Sequence, residues 1–204
     1  MHFVYIFEEG GHMLRTNEDY QALHSNINYI HDEDIDSHSY HVATLCKDFG
    51  VFLNLNSKDV HRLFIGGYLH DLGKSYFDQS LFSGVTTLSQ VQRETIHYHP
   101  FRGFMLARNG VDDEKILEII LYHHERIDGH GYPYGLRGHD IPYLAKIVMI
   151  CDAFDAMISN RGYKTQLSIE EAKIELDINK GSQFDFQLVE SFLQFIKQKE
   201  ESVS

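Results

Sequence analysis

The chain has 204 residues, enough to bury a sizeable core without disulfides or a structural metal, and its formal net charge of −12 argues against broad electrostatic binding to DNA or to an anionic membrane. Its two cysteines, Cys46 and Cys151, exclude a disulfide framework and a cysteine-based zinc site. There is no signal-peptide pattern and no apolar run of about 18 residues, so a cytoplasmic protein with reduced thiols is expected.

In chain order, residues 1–17 read as a short strand or irregular lead-in, with Phe3, Tyr5 and Phe7 alternating. Helical patterns follow at about 18–30, 33–53, 58–72, 88–98, 101–109, 113–124, 141–159, 168–178 and 185–199. Ser57 is expected to cap one of these helices, and Ser168 with Glu171 spells a capping box. Loops are expected at about 75–87, 125–140 and 160–167, and none of the three prolines interrupts a strong helical run. The fold class is therefore all-α: a single helical bundle over 31–204, preceded by a lead-in and first helix over 1–30. So short a lead-in is expected to leave no room for a separate sensor domain, which assigns regulation to a partner or to residues 1–30.

Fourteen histidines are the compositional anomaly, and their placement matters more than their number. The inward stripe Val60, Leu63, Phe64 and Gly67 continues onto His70 and Asp71, and almost onto Lys74. A buried carboxylate costs several kcal/mol, of order ~3–5, unless paired or bound to metal; a metal-ligand role and a turn-capping role both answer that cost. Asp34 and His38, four apart, share one helical face, with His41 a further candidate. Pro100 pushes His99 out of helical geometry at the start of a new helix. Asp152 and Asp155 lie in a segment apolar nearly all round and need partners; a helix-to-helix salt bridge is expected for Asp155. His97 and the histidines at 2, 12, 24, 31, 61 and 139 read as ordinary surface residues.

The densest run is His123-His124-Glu125-Arg126-Ile127-Asp128-Gly129-His130-Gly131-Tyr132-Pro133, which sets metal-ligand side chains directly beside backbone able to approach a ligand closely. Lys74, Arg126, Arg161 and Lys164 supply positive charge near these groups, suited to phosphate oxygens. Solvated loop charge is the alternative reading for each.

Together with His38-Ser39-x-x-Val42, His70-Asp71-Leu72-Gly73-Lys74, His99-Pro100-x-x-Gly103 and Asp152-x-Phe154-Asp155-Ala156, that run resembles the HD-GYP family over about residues 32–195. The resemblance implies an HD-type helical bundle with two or three divalent metal ions that hydrolyses cyclic di-GMP to linear pGpG and often on to GMP, some members preferring cyclic GMP-AMP. Carried over by position, it implies metal ligation by Asp34, His38, His70, Asp71, His99, His123, His124 and Asp152. Asp71 and Lys74 would be catalytic, with Lys74, Arg126, Gly131, Tyr132, Arg161 and Lys164 toward substrate. An all-nitrogen and oxygen ligand set suits iron or manganese, with zinc as an alternative.

Three departures stand out: His41 for the family's usual arginine, Gly162 for a proline, and Ser83-Gly84-Val85 in place of a Lys-Pro-Gly element. Substrate choice is expected to lie there. The alternatives are a non-catalytic cyclic-dinucleotide receptor acting through a signalling protein, and a general nucleotide phosphohydrolase.

Overall fold

The computed structural model describes residues 33–76, 89–159 and 166–203, with backbone alone at 33–36, 76, 91 and 203. Eight α-helices occur among the described residues: α1 (Glu33–Phe52), α2 (Ser57–Leu69), α3 (Gln90–His97), α4 (His99–Ala107), α5 (Glu114–Tyr122), α6 (Tyr143–Ile158), α7 (Ile169–Asn179) and α8 (Phe186–Val203). Two 3-10 turns, Leu72–Tyr76 and Gly138–Asp140, join them, and no strand occurs among the described residues. The all-α reading holds. The expected lead-in and first helix, and most of the 75–87 and 160–167 loops, lie outside the described residues.

Local chemistry accounts for most of the helix starts. Ser168 and Glu171 form the expected capping box, each side chain bonding the other's backbone N–H. Ser89 and Gln92 form a second one that the sequence reading passed over. Ser57 is not a cap: Asn56 holds that position, its Oδ1 accepting the Asp59 N–H at 3.0 Å, so the helix begins one residue earlier than expected. His99 likewise opens α4 rather than standing outside it. Pro100 falls in the first turn, where a missing N–H costs nothing.

Helix α1 packs on α2 and α6, α2 on α5, and α4 on both α5 and the turn Leu72–Tyr76. One apolar cluster gathers Phe49, Ile147, Ile150, Leu176 and Phe192 from α1, α6, α7 and α8. A second gathers Phe64, Leu69, Ala107, Ile116 and Ile120 from α2, α4 and α5. Cys46 and Cys151 are free thiols buried in the first cluster. None of the described helices is long and apolar enough to cross a membrane.

Two glycines decide how the 3-10 turn meets α4. A Cβ on Gly73 would lie 1.9 Å from the His99 carbonyl oxygen and 2.6 Å from the Gly103 nitrogen. Only a bare Cα at Gly73 allows this approach, which carries His99 up to Asp71.

Candidate metal centre

The end of α2 delivers His70 and Asp71, the start of α4 delivers His99, and the end of α5 delivers His123 and His124. Helices α1 and α6 bring in His38 and Asp152. His70, His99 and His123 are fully buried, Asp71 and His38 nearly so.

Three of these imidazoles are oriented by backbone. His70, His99 and His123 each donate Nδ1–H to the carbonyl three residues earlier, at Gly67 (2.6 Å), Ile96 (2.7 Å) and Ile120 (2.8 Å). A carbonyl oxygen only accepts, so each Nδ1 carries a proton and each Nε2 faces inward, with an open lone pair on the neutral His99 and His123 and a proton that a bound ion would displace on His70. His38 is oriented by a side chain instead: its Nδ1 donates to Asp155 Oδ2 at 2.6 Å, where the Ser159 hydroxyl also donates.

All four Nε2 atoms converge on Asp71. Its Oδ1 lies 3.2 Å from His99 Nε2 and 3.9 Å from His123 Nε2, while its Oδ2 lies 3.3 Å from His70 Nε2 and 3.9 Å from His38 Nε2. Two ligand groups result: Asp71, His99, His123 and His124, and His38, His70 and Asp71, with donor atoms in each within 4.8 Å of one another. Asp152 Oδ1 adds to the second group, 3.1 Å from His38 Nε2 and 3.7 Å from His70 Nε2. The Lys74 ammonium pairs with Asp71 Oδ2.

This cluster fits divalent cations. Among the described residues His70 Nε2 and Asp71 Oδ1 are buried without a hydrogen-bond partner, a cost of about 1–3 kcal/mol each that a coordinated ion would remove. With one oxygen facing each imidazole group, Asp71 would help both groups hold a divalent cation.

The charges follow from burial and neighbours. Burial, reinforced by His99, lowers the His124 imidazole to about 3, and burial with His124 and His70 holds His123 well below its ordinary value. Burial outweighs Asp71 at His99, which is also lowered. At His70 burial is overcome by Asp71 and Asp152, which raise it to about 10. Against burial, Lys74 and His70 hold Asp71 well below the usual carboxylate range, and His38 and His70 do the same for Asp152.

The loop after α5 closes one side. A Cβ at Gly131 would fall 2.4–2.5 Å from the Glu125 and Arg126 backbone, so the chain can fold flat only with glycine there. Tyr132 N–H then donates to the His124 carbonyl at 3.0 Å. The Tyr132 ring lies 4.7 Å from His124 and 6.2 Å from His99, between centroids.

The sequence-level site is thus largely assembled, with specific exceptions. The Asp34 side chain, Arg161 and Lys164 lie outside the described residues. Arg126 makes a two-pronged pair with Asp128 (3.0 and 2.7 Å) and reaches Gln183 at 2.9 Å, which ties the loop to the α7–α8 turn. His41 is exposed, 3.8 Å from Asp155, and belongs to neither ligand group. Asp155 does make the expected helix-to-helix pair, but Asp152 and Asp155 share one partner, meeting opposite nitrogens of His38. His97 is exposed, as a surface residue should be, yet its ring stacks on Tyr132 with centroids 4.1 Å apart and planes 13° apart. Glu125 also went unassigned; fully buried, it accepts the Tyr134 and Leu136 N–H groups at 2.8 Å each. Its place inside the densest run was the available signal.

A helical bundle with paired His-Asp ligands at helix ends defines a metal-dependent hydrolase fold of the HD type, and residues 22–188 match the HD domain. The chain belongs to the HD-domain family, in its HD-GYP branch. It is 37% identical over 132 residues to a cyclic di-GMP phosphodiesterase of Thermotoga maritima, covering 64% of this chain and 36% of that protein. It is 31% identical over 134 residues to 3'3'-cGAMP-specific phosphodiesterase 1 of Vibrio cholerae, covering 66% of this chain and 31% of that protein. Among solved structures, Bd1817, an HD-GYP protein from Bdellovibrio bacteriovorus, superposes with a TM-score of 0.68 at 27% identity, over 87% of this chain and 57% of that one. The chain therefore spans well under half the length of these two curated relatives.

Proposed function

We propose that this chain is a divalent-metal-dependent phosphodiesterase that hydrolyses cyclic di-GMP to linear pGpG and onward to GMP. The observation that carries the reading is Asp71, whose two oxygens each face the Nε2 atoms of a separate group of imidazoles. Ions bound by these groups supply Lewis acidity toward a phosphate and ease deprotonation of water near neutral pH. Iron or manganese suits a ligand set of imidazole and carboxylate, and Asp34 is the candidate to extend it to a third ion.

The chain's own residues would do the rest. Asp71, kept ionised beside Lys74, orients the attacking water in line with the phosphorus. Lys74 neutralises charge developing on the phosphate oxygens, joined by Arg161 and Lys164. Arg126, engaged by Asp128 and Gln183, contributes by holding the loop that carries Gly131 and Tyr132.

The resemblance to a 3'3'-cGAMP-specific phosphodiesterase supports a second reading in which cyclic GMP-AMP is preferred. One assay separates the readings: anaerobically purified protein, its metal content determined, is incubated with Mn²⁺ or Fe²⁺ and each cyclic dinucleotide. Linear product is expected, together with its loss by at least about 1000-fold in a His70→Ala, Asp71→Ala double variant. Binding without turnover in the metal-loaded wild type would instead make the chain a receptor that acts through a signalling partner.

A further inference from the structure

The stacked pair His97 and Tyr132 lies just outside the ligand set. The two come from different elements, His97 ending α3 and Tyr132 lying in the loop after α5, yet their rings are nearly parallel, 13° apart, with 4.1 Å between centroids. Tyr132 also sits against two ligands, 4.7 Å from the His124 ring and 6.2 Å edge-on from His99. Its backbone is tied to His124 through an N–H to carbonyl bond of 3.0 Å. The ring is therefore held from the ligand side by His124 and from α3 by His97. Tyr132 is half-buried, so its hydroxyl can be reached by a group that enters the site.

We propose that His97 is a positioning residue: its stack on Tyr132 fixes the phenol beside His99 and His124, so that the hydroxyl donates a hydrogen bond to a phosphate oxygen of the bound dinucleotide. This rests on the phosphodiesterase reading above. A donor to a charged oxygen is worth roughly tenfold or more in transition-state or ligand affinity, and a stacked ring confines the tyrosine to a geometry that an exposed loop would otherwise lose. His97 itself touches no substrate in this scheme.

The test uses the metal-loaded chain, with cyclic di-GMP turnover, the affinity for inorganic phosphate by calorimetry, and metal content as readouts. Tyr132→Phe is expected to lower kcat/KM and phosphate affinity by about tenfold, with metal content unchanged. His97→Ala is expected to lower both by about fivefold, His97→Phe to restore the stack and most of the loss, and His97→Ala to add nothing in the Tyr132→Phe background. A His97→Ala protein that matches an active wild type overturns the inference, as does a loss that persists undiminished in the Tyr132→Phe background or one that tracks loss of metal. Failure of the wild type to turn over any cyclic dinucleotide would strike at the phosphodiesterase reading instead, and the phosphate affinities then decide the role of His97 alone.

Discussion

Glu125 ligates nothing in this arrangement, yet it is fully buried and each of its oxygens accepts one backbone N–H from the loop that follows. A carboxylate placed this way fastens the 131–136 stretch to the end of α5 more tightly than apolar contact would. Glu125→Ala is expected to destabilise the protein by about 1–3 kcal/mol, read as a lower urea midpoint. Glu125→Gln, which keeps one acceptor, is expected to lose less; equal losses would show that the side chain merely fills space. At this scale the cluster of His70, Asp71, His99, His123 and His124 was legible through the resemblance to a known family, whose motifs place those residue types at fixed spacing. The roles of Glu125 and His97 were not, because each depends on a side-chain direction and a partner from another element. Even Asp152 and Asp155, three apart on one helix, reach the same histidine only because α1 lies across α6.

At the scale of elements, the site depends on how closely the turn Leu72–Tyr76 can approach α4. Gly73 and Gly103 remove the side chains that would hold them apart, and the His99 carbonyl lies where a Gly73 Cβ would stand. Gly73→Ala is thus expected to push α4 away, cost about 3 kcal/mol or more, and withdraw His99 from Asp71, so that bound metal per chain falls. Gly110→Ala, with nothing within 4 Å of the added carbon, is the control and should leave both unchanged. Helix periods and the Ser168 capping box were readable because they depend on neighbours in sequence. The boundary at Asn56 was missed because two adjacent residues could both cap, and only backbone geometry decided between them.

For the whole molecule, the buried imidazoles make stability depend on pH in the metal-free state. His124 protonates only near about 3 when folded but near its ordinary 6.5 when unfolded, and His99 and His123 are shifted in the same direction. Below 6.5 the unfolded chain therefore binds more protons, so stability falls as pH drops from there toward 3. Asp71 and Asp152, depressed in the fold, lose their contribution further down the same descent. His70, raised to about 10, and His38, also raised, act in the opposite sense: their contributions are complete below 6.5 and diminish as pH climbs above it, so between pH 5.5 and 7.5 they offset part of the loss from the three lowered imidazoles. Chelator-treated protein should accordingly show a lower urea midpoint at pH 5.5 than at pH 7.5. A midpoint that holds or rises at pH 5.5 would contradict the buried neutral state of these histidines.

The three imidazoles aligned by carbonyls at Gly67, Ile96 and Ile120 have a consequence for descent. Every amino acid carries a carbonyl, so the bonds that set the bearings of His70, His99 and His123 do not depend on side-chain identity at those positions, although at Gly67 an added Cβ would press on the Ala43 backbone at 3.1 Å. His38 alone among these four takes its bearing from a side chain, Asp155. Divergence in metal preference on this scaffold would have its most accessible point of entry at the seam between α1 and α6, and little purchase elsewhere around the ligands.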